Sequence, residues 1–195
     1  MAGTSCRAHG TALITHNGLS GPCILRLSSY AARYLAEHSY TASLVMNWLG
    51  DVCEEGARDL LHALASNNGQ KLVCNTHPDA ITSRHWEFLL SRAGVSNDMR
   101  WNAMGRKQYN KLVSVLTSDC YQIIGRVPHK EEFVTAGGVS LRSVNPSTLE
   151  CRQRPGLYFA GEVLDVDGVT GGFNLQAAWT MGDAVARAVA SRLDK

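Results

Sequence analysis

The sequence predicts an α+β protein in which a helical middle segment lies between two segments rich in short strands. Residues 51–117 carry apolar side chains at the three- and four-residue spacing of amphipathic helices. The flanking segments contain short β-branched or aromatic runs broken by glycine and proline, a pattern typical of strands and turns. A last apolar stripe over residues 174–193 predicts a long helix.

Size and composition allow one domain or two small ones with a real hydrophobic core. The 195 residues are 45% hydrophobic and 18% charged, and a chain of this size buries roughly 70% of its unfolded surface. These values exclude a disordered chain. No apolar run reaches the roughly 18 residues of a membrane helix, and residues 1–9 lack the apolar centre of a signal peptide. We therefore expect a soluble, cytoplasmic protein.

Charge and cysteine spacing point to neither nucleic acid nor a metal as a partner. The formal net charge is +2, from 19 Lys and Arg against 17 Asp and Glu, so no strong basic field exists. The six cysteines lie 17 to 46 residues apart, without the Cys-x-x-Cys pairs of zinc or redox motifs, and the histidines are scattered. In the absence of a secretory signal, reduced thiols are expected rather than a disulfide framework.

The first segment predicts a strand, a turn and a helix. Residues 10–16 are β-branched and apolar and end at an Asn-Gly turn signal. Ser20 is the expected N-cap, with Pro22 in the first turn, of a helix that begins near residue 21. Residues 40–48 then predict an extended run.

Three helices are predicted in the middle segment. The first runs from a capping-box-like start at Asp51 and Glu54 to a stop signal at residues 67–69, the second covers 79–93 and the third about 102–117. Their expected inward-facing residues are Ala57, Leu60, Leu61 and Leu64, then Ile81, His85, Phe88 and Leu89, then Tyr109, Leu112, Val113 and Leu116.

Strand-like runs return after Cys120. Residues 121–127 and 133–139 are broken by Pro128 and a glycine pair, and residues 156–160 predict a short buried strand. The helix that ends the sequence is expected to pack through one side. The residues of that side are Leu175, Ala178, Trp179, Gly182, Val185, Ala186, Val189 and Leu193.

Residues 156–179 combine a short strand, an acidic loop, a glycine pair and a helix start. Gly171 and Gly172 let a ligand approach the backbone, and the first-turn N–H groups with the helix dipole favour an anion or an electron-rich oxygen. Glu162 follows the strand, at the position where open α/β sheets bind ligands, and its carboxylate can accept hydrogen bonds from hydroxyls. The segment therefore predicts a ligand site, with a simple turn as the alternative.

Two neighbouring motifs have competing interpretations. The Thr135-Ala-Gly-Gly138 string indicates either a ligand-facing loop or a bulge or tight turn. Asp165 and Asp167 are spaced like a metal-binding pair, but no third ligand lies nearby in the sequence, which favours a solvated loop.

Three strings match a known family in order and spacing. They are THNGLSGP over residues 15–22, VTAGGV over 134–139 and GLYFAGEVLDVDGVTGGFNLQ over 156–176. Together they resemble the C-terminal half of the BaiN-like flavoproteins, NAD(P)/FAD-dependent oxidoreductases of the two-dinucleotide-binding type. The third string is long and highly specific, and the resemblance covers nearly the whole chain.

The resemblance implies an architecture and an activity. Residues 10–50 would be the later part of an inserted, partly barrel-like β-rich domain, 51–118 a helical insert, and 119–195 the C-terminal segment, strands plus a long helix, of a Rossmann-type FAD-binding domain. The implied activity passes hydride from NAD(P)H through FAD to a small organic substrate.

The resemblance also implies a cofactor site. Gly161 and Glu162 match a strand-end pair whose acid binds the ribityl or pyrophosphate end of FAD, and Asp167, like Asp165, matches an acidic position near the cofactor. His16 and Ser20 lie near the implied substrate cavity, with capping or packing as the alternative. The other implied cofactor-binding residues, whose backbone N–H groups face N1 and the C2 carbonyl of the flavin, are Gly171, Gly172, Phe173, Asn174 and Leu175. A helix N-terminus there stabilises the charge that reduction places at N1 and O2.

One part of the family pattern is missing from this sequence. The ADP half of the FAD site requires Gly-x-Gly-x-x-Gly after a strand, with an acid about 20 residues later, and neither glycine pair has those flanks. We therefore expect a C-terminal fragment or a shortened relative that binds FAD weakly or not at all and has no turnover. The alternative is a non-catalytic ligand- or protein-binding module that self-associates to cover its flavin-facing surface. No catalytic acid or base stands out.

Overall fold

The computed structural model describes residues 1–126, 134–169 and 171–193. These residues form two compact units: unit 1 comprises Met1–Ser5 and Thr41–Ile124, and unit 2 comprises Cys6–Tyr40 and Gly125–Lys195. In chain order the strands and helices are β1 (Leu13–Thr15), β2 (Gly18–Ser20), α1 (Pro22–Tyr30), α2 (Ala32–Glu37), β3 (Ala42–Met46), α3 (Glu54–Asn68), α4 (Ser83–Ala93), α5 (Arg106–Ser118), β4 (Asp119–Ile123) and α6 (Phe173–Leu193).

Unit 1 contains the helical segment and a two-stranded sheet. Strand β3 pairs antiparallel with β4, so that Leu44 lies opposite Tyr121. Helix α5 packs against α3, α4 and both strands. The three helices predicted for residues 51–117 are thus confirmed, although α3 is capped by Cys53, whose Sγ accepts a hydrogen bond from the Gly56 N–H, rather than by Asp51.

The buried residues of unit 1 follow the predicted helical spacing, except that Trp86 is buried where Phe88 was predicted to be. Ala57, Leu61, Leu112 and Leu116 have no exposed surface, as their spacing predicts. The predicted inward position of Phe88 is wrong, because this ring is 47% exposed. Trp86 takes the buried position on α4 instead. Its ring is fully enclosed and its Nε1–H donates to the Val73 carbonyl at 2.8 Å, so the polar atom is satisfied in the core.

A buried carboxylate joins α4 to the sheet of unit 1. The side chain of Asp119 is 2% exposed and accepts hydrogen bonds from Arg92 Nη2 at 2.5 Å, the Trp48 indole at 3.1 Å and the Tyr121 hydroxyl at 2.5 Å. Burial alone raises the pKa of Asp119, but the hydrogen bonds from Arg92, Tyr121 and Trp48 outweigh it and lower the pKa. The carboxylate is therefore paired as a buried charge must be.

Unit 2 begins with a hairpin and continues into two short helices. Strands β1 and β2 pair antiparallel around a two-residue turn at His16 and Asn17. The helix predicted near residue 21 begins at Pro22, but its N-cap is Gly21, whose φ is 94°. The prediction that Ser20 caps this helix is wrong, because Ser20 belongs to β2.

The C-terminal part of unit 2 packs on the inner side of α6. Val144, Leu149 and Leu164 form a small buried cluster, against which Met181 and Val185 of α6 pack. Near the other end of the helix, Arg192 Nη1 contacts Glu150 Oε1 at 2.6 Å, and the same oxygen accepts from the Gly156 N–H.

Three strand and packing predictions for unit 2 are wrong. Residues 156–160 form no strand; only Tyr158 makes an isolated bridge, to Glu150, and Leu157 is 44% exposed. Residues 149–151 run beside this segment, with hydrogen bonds from the Cys151 N–H to the Leu157 carbonyl at 2.7 Å and from the Phe159 N–H to the Leu149 carbonyl at 3.1 Å, but in the described residues the pairing forms this one bridge and no strand. Residues 134–139 likewise contribute one parallel bridge, from Val139 to Leu164. The partial barrel is not observed: the described sheets each have two strands.

The predicted packing side of α6 is also wrong, although the bounds of the helix match the sequence pattern. Ala178, Val185 and Val189 are half-buried, as expected. The rest of the predicted side is exposed, and comprises Leu175, Trp179, Gly182, Ala186 and Leu193. The helix is apolar on two sides, and only one of them packs on its own unit.

Val127, Pro128 and Phe133 of the strands predicted after Cys120 lie outside the described residues. All six cysteines are free thiols. Within the described residues, no helix combines the length and the apolar character needed to cross a membrane.

Candidate functional site

The candidate site lies in unit 2, where a loop over residues 161–169 leads to the N-terminus of α6. A parallel bridge anchors its start: the Val139 N–H donates to the Val163 carbonyl at 2.8 Å, and the Asp165 N–H donates to the Val139 carbonyl at 2.9 Å. The structure therefore brings two of the three family-like strings, 134–139 and 156–176, into direct contact.

Gly138 allows this contact. A Cβ at this position would lie 2.6 Å from the Val163 carbonyl oxygen and 2.8 Å from the Leu164 carbonyl carbon, and its φ is 148°. Both neighbours are backbone atoms, which cannot rotate away as a side chain can. The glycine in this string therefore serves a close backbone approach that fixes the loop, a role that neither the ligand-facing loop nor the bulge or tight turn considered from the sequence describes.

Gly161 and Glu162 begin the loop in a single helical turn against α6. Gly161 has a φ of 76°, and its N–H donates to Met181 Sδ at 3.4 Å. A Cβ on Gly161 would lie 3.6 Å from that of Ala178. The turn is thereby held on the inner side of α6, and the neighbouring Glu162 side chain is exposed. Its carboxylate can accept hydrogen bonds from a ligand.

The glycine pair before α6 leaves the helix start open. Gly171 has a φ of 135°, in a region that favours glycine, whereas a Cβ on Gly172 would meet no heavy atom of the described residues within 4 Å. The Gly172 carbonyl accepts the first helical hydrogen bond, from the Gln176 N–H at 3.0 Å. The N–H groups that begin a helix have no intrahelical acceptor and carry its positive dipole end. An electron-rich oxygen or nitrogen is thus the ligand atom that fits here.

Asn174 ties the loop to the helix start. Its Oδ1 accepts from the Gly168 N–H at 2.7 Å, and its Nδ2 donates to the Gly168 carbonyl at 3.4 Å. A Cβ on Gly168 would come within 3.0 Å of Asn174 Oδ1. The Asn174 side chain therefore fixes the end of the loop.

The acidic loop residues are bound by the helices of unit 2. Arg33 Nη2 contacts both oxygens of Asp165, at 2.6 and 2.5 Å. The Ser29 hydroxyl donates to Asp167 Oδ2 at 3.4 Å. The hydrogen bond and the charge of Asp165 raise the pKa of Arg33. These contacts favour a loop held by protein groups over the metal-binding pair considered from the sequence.

Sequence reasoning missed Ser29 and Arg33. They lie 138 and 132 residues from their partners, respectively, and no local pattern signals a contact at such a distance in sequence. The only available signal was indirect: two carboxylates in one loop need counter-charges or solvent.

His16 and Ser20 belong to the hairpin of β1 and β2. His16 is exposed at the hairpin turn, and Ser20 is half-buried in β2. Among the described residues, the side-chain hydrogen bonds of the 161–169 loop reach α1, α2 and α6 but not this hairpin. Gly21 has a clearer role in the same string, because its Cβ would lie 2.9 Å from the Leu13 nitrogen.

The sequence matches a family of known proteins. The Rossmann domain of HI0933-like proteins matches residues 29–188. The chain is 54% identical over 187 residues, 94% of its length, to the 3-dehydro-bile acid delta(4,6)-reductase of Clostridium scindens. Two ribosomal RNA dihydrouridine synthases also match, that of Escherichia coli at 33% identity over 90% of the chain and that of Haemophilus influenzae at 29% over 91%. The chain spans 41% to 44% of the length of these relatives.

Proposed function

Because the chain belongs to the HI0933-like Rossmann-domain family, we propose that it is the flavin-facing C-terminal segment, or a shortened relative, of an FAD-dependent oxidoreductase. The match confirms the BaiN-like resemblance of the sequence motifs, and the family is flavin-associated. In an intact protein of this kind, the bound flavin would take hydride from NAD(P)H and deliver it to a small organic substrate.

The observation that carries the proposal is the open helix start after Gly171 and Gly172. Gly172 has free space where a side chain would stand, and the helix that follows is 21 residues long. The backbone N–H groups of Phe173, Asn174 and Leu175 would bind the electron-rich edge of a flavin ring there. A helix dipole at that edge stabilises negative charge, which favours the reduced cofactor.

Other residues of the site would orient the cofactor. The exposed Glu162 carboxylate would accept hydrogen bonds from the ribityl hydroxyls. Arg33 and Ser29 neutralise and hold the loop that carries Asp165 and Asp167. These groups would supply position and charge.

The residues present fit the ring end of FAD but not its ADP end. The sequence has no Gly-x-Gly-x-x-Gly string, which in dinucleotide-binding folds brings a helix N-terminus to the pyrophosphate. We therefore propose that these 195 residues alone bind FAD weakly and do not turn over. The six free cysteines suit a reducing compartment, which supports a cytoplasmic location.

For the substrate we propose a small, largely apolar molecule with a conjugated double bond, of the 3-dehydro-bile acid type. The relative that carries this name is 54% identical to the chain, against 33% and 29% for the two RNA-modifying relatives. The net charge of +2 also favours a small molecule over RNA, because RNA binding depends on a basic surface.

A second candidate function is a non-catalytic module that binds a ligand or protein and self-associates. The exposed apolar residues of α6 favour it: Phe173 is 66% exposed, Leu175 70% and Trp179 75%. Exposed apolar patches of this kind mark interfaces in soluble proteins.

Size-exclusion chromatography with detection at flavin wavelengths tests the proposal. The protein is incubated with excess FAD and NAD(P)H oxidation is followed in parallel. We expect a colourless protein peak and no oxidation above background, whereas a yellow, active peak would contradict the proposed incompetence of the isolated chain.

A Gly172→Leu variant tests the ring site itself. Because no heavy atom of the described residues lies within 4 Å of the added Cβ, we expect the substitution to obstruct the helix start without disturbing the fold. We expect it to weaken riboflavin binding at least about tenfold, as loss of a central contact does. Unchanged riboflavin affinity would contradict the placement of the ring at this helix.

A further inference from the structure

The loop over residues 161–169 carries three carboxylates and no cation of its own. Its charged residues are Glu162, Asp165 and Asp167. The loop ends beside the start of α6, because the Gly168 N–H donates to Asn174 Oδ1 at 2.7 Å. The backbone of Asp167, which directly precedes this contact, therefore lies near the helix N-terminus, whose positive dipole end is the candidate binding element for a flavin ring.

Arg33 of α2 brings a positive charge to this loop. Its Nη2 contacts both carboxylate oxygens of Asp165, at 2.6 and 2.5 Å. The hydrogen bond and the charge of Asp165, followed by the charges of Asp167 and Glu37, raise the pKa of Arg33. Arg33 therefore lies in the field of both aspartates of the loop and forms an ion pair with one of them.

Asp167 is held by a neutral group instead. The Ser29 hydroxyl of α1 donates to Asp167 Oδ2 at 3.4 Å, and a hydroxyl donor does not neutralise a carboxylate. Asp167 is also half-buried, where salt screens a charge less than at an exposed position. The two aspartates thus differ in their surroundings: Arg33 offsets the charge of Asp165, whereas the charge of Asp167 has no such direct contact in the described residues.

The charge of this region matters because a flavin gains negative charge on reduction. Uptake of two electrons and one proton by the oxidised ring leaves one negative charge at the N1 and O2 edge. A nearby charged side chain acts strongly on that form and weakly on the neutral oxidised ring. For two unit charges about 10 Å apart at an effective dielectric constant of about 40, Coulomb's law gives about a fourfold effect on affinity.

We propose that Arg33 and Asp167 set, with opposite signs, how strongly the flavin site prefers the reduced ring over the oxidised one. The proposal rests on the flavin-binding role proposed above. Arg33 offsets the carboxylates of the loop and so favours the negatively charged reduced ring, whereas Asp167 disfavours it. Both residues act through their charge, and neither is a catalytic residue.

Equilibrium dialysis of riboflavin against the chain tests the proposal. Oxidised riboflavin and riboflavin reduced anaerobically with dithionite are measured separately, and the ratio of the oxidised to the reduced Kd is compared among variants. We expect Arg33→Gln to lower this ratio at least about threefold and Asp167→Asn to raise it by about the same factor. Asparagine keeps an acceptor for the Ser29 hydroxyl, so the contact persists while the charge is lost.

Opposite changes separate an effect of charge from a loss of loop order. A substitution that only loosens the loop weakens the binding of both forms alike and leaves the ratio unchanged. Arg33→Lys keeps the charge and should keep the wild-type ratio. At about 1 M salt, where charges are screened within about 3 Å, both changes should shrink, and changes of undiminished size would contradict charge as their cause.

Arg187→Gln is the matched control. It removes a cation from another exposed ion pair, on α6, about 21 Å along the helix from its start at Phe173. It should leave the ratio unchanged, and a change as large as that of Arg33→Gln would contradict a local effect. Circular dichroism of each variant checks that it is folded.

The flavin proposal and this inference fail in different ways. A wild-type chain that binds neither form of riboflavin would overturn the flavin proposal and this inference with it. Riboflavin binding with equal ratios in wild type, Arg33→Gln and Asp167→Asn would overturn this inference alone, and so would changes of the same sign in the two variants.

Discussion

Arg33 and Asp165 form a two-oxygen contact, at 2.6 and 2.5 Å, across 132 residues of sequence. The contact joins α2 to the loop that precedes the candidate flavin site. The Arg33 side chain is 70% exposed, so solvent screens the pair and its contribution to global stability is small. Its effect is local: it restricts the loop.

We expect Arg33→Ala to accelerate hydrogen exchange in residues 161–169 with little change in Tm. The reason is that the loop loses its counter-charge while the core of unit 2 is untouched. Hydrogen exchange measured by mass spectrometry checks this. Arg187→Ala, which removes another exposed ion pair, is the control and should leave exchange in the loop as it was. Equal protection in wild type and Arg33→Ala would refute the restraining role.

Gly138→Ala is expected to destabilise unit 2 by about 1–3 kcal/mol, because the new Cβ would collide with backbone atoms at a strained φ. Gly137→Ala is the matched control: its φ is also positive, at 106°, but no heavy atom lies within 4 Å of the added carbon. Urea unfolding measures both. Equal losses of stability for Gly138→Ala and Gly137→Ala would show that the positive φ alone causes the loss and that the close approach of the backbone at Gly138 contributes nothing.

Asp119→Asn is expected to lower the stability of unit 1 by about 2–3 kcal/mol, because Arg92 would lose its buried counter-charge. The exposed pair Arg58–Glu54 provides the control; Glu54→Gln should change stability by less than about 0.5 kcal/mol. Chemical unfolding followed by tryptophan fluorescence measures the free energy of unfolding of both variants. Similar losses of stability for Asp119→Asn and Glu54→Gln would contradict the role of Asp119 as a buried counter-charge.

The lowered pKa of Asp119 also fixes a pH dependence. A carboxyl whose folded pKa lies below its unfolded value stabilises the fold above about pH 4 and loses that contribution as the pH falls further. Asp119→Asn should remove this part of the acid sensitivity.

His85 should make unit 1 less stable at mildly acidic pH. Its Nε2 is buried without a hydrogen-bond partner among the described residues, and its ring meets Trp48 edge-on at 4.3 Å. Burial lowers the pKa of His85, and the charge of Asp119 only partly opposes this. The folded state therefore favours neutral histidine, and stability falls as the pH drops below about 6.5.

The variant His85→Phe keeps an aromatic ring beside Trp48 but cannot titrate. We expect its stability to stay level between about pH 6.5 and 5, where the wild type declines. His62→Phe, at an exposed position, should decline like the wild type. Identical pH profiles for all three proteins would show that His85 is not the group responsible.

The helical segment was predictable because its signals are local. The stripe of Ala57, Leu61 and Leu64 repeats at helical spacing, and the glycine after Asn68 marks the end of α3. The exchange of Phe88 for Trp86 was not predictable in this way, since both rings lie on the same helix and the Val73 carbonyl that accepts from the Trp86 indole lies in another segment of the chain.

The errors in unit 2 have non-local causes. Residues 156–160 have the composition of a strand, but their neighbour at residues 149–151 pairs with them over one bridge only, and composition does not show how far a pairing extends. The packing side of α6 was ambiguous because the helix is apolar on both sides, so Trp179 could not be assigned from periodicity. The family strings located the candidate loop, whereas Arg33 and Ser29 emerged only from the folded chain.

Comparing the affinities of riboflavin and FAD tests most directly whether the chain has the ring end of a flavin site without its ADP end. Both ligands are titrated into the wild-type chain and followed by flavin fluorescence. We expect weak binding of riboflavin and an FAD Kd within about threefold of it, because the ADP group finds no dinucleotide-binding turn in this sequence. FAD binding at least about a hundredfold tighter than riboflavin, or no binding of either, would contradict this.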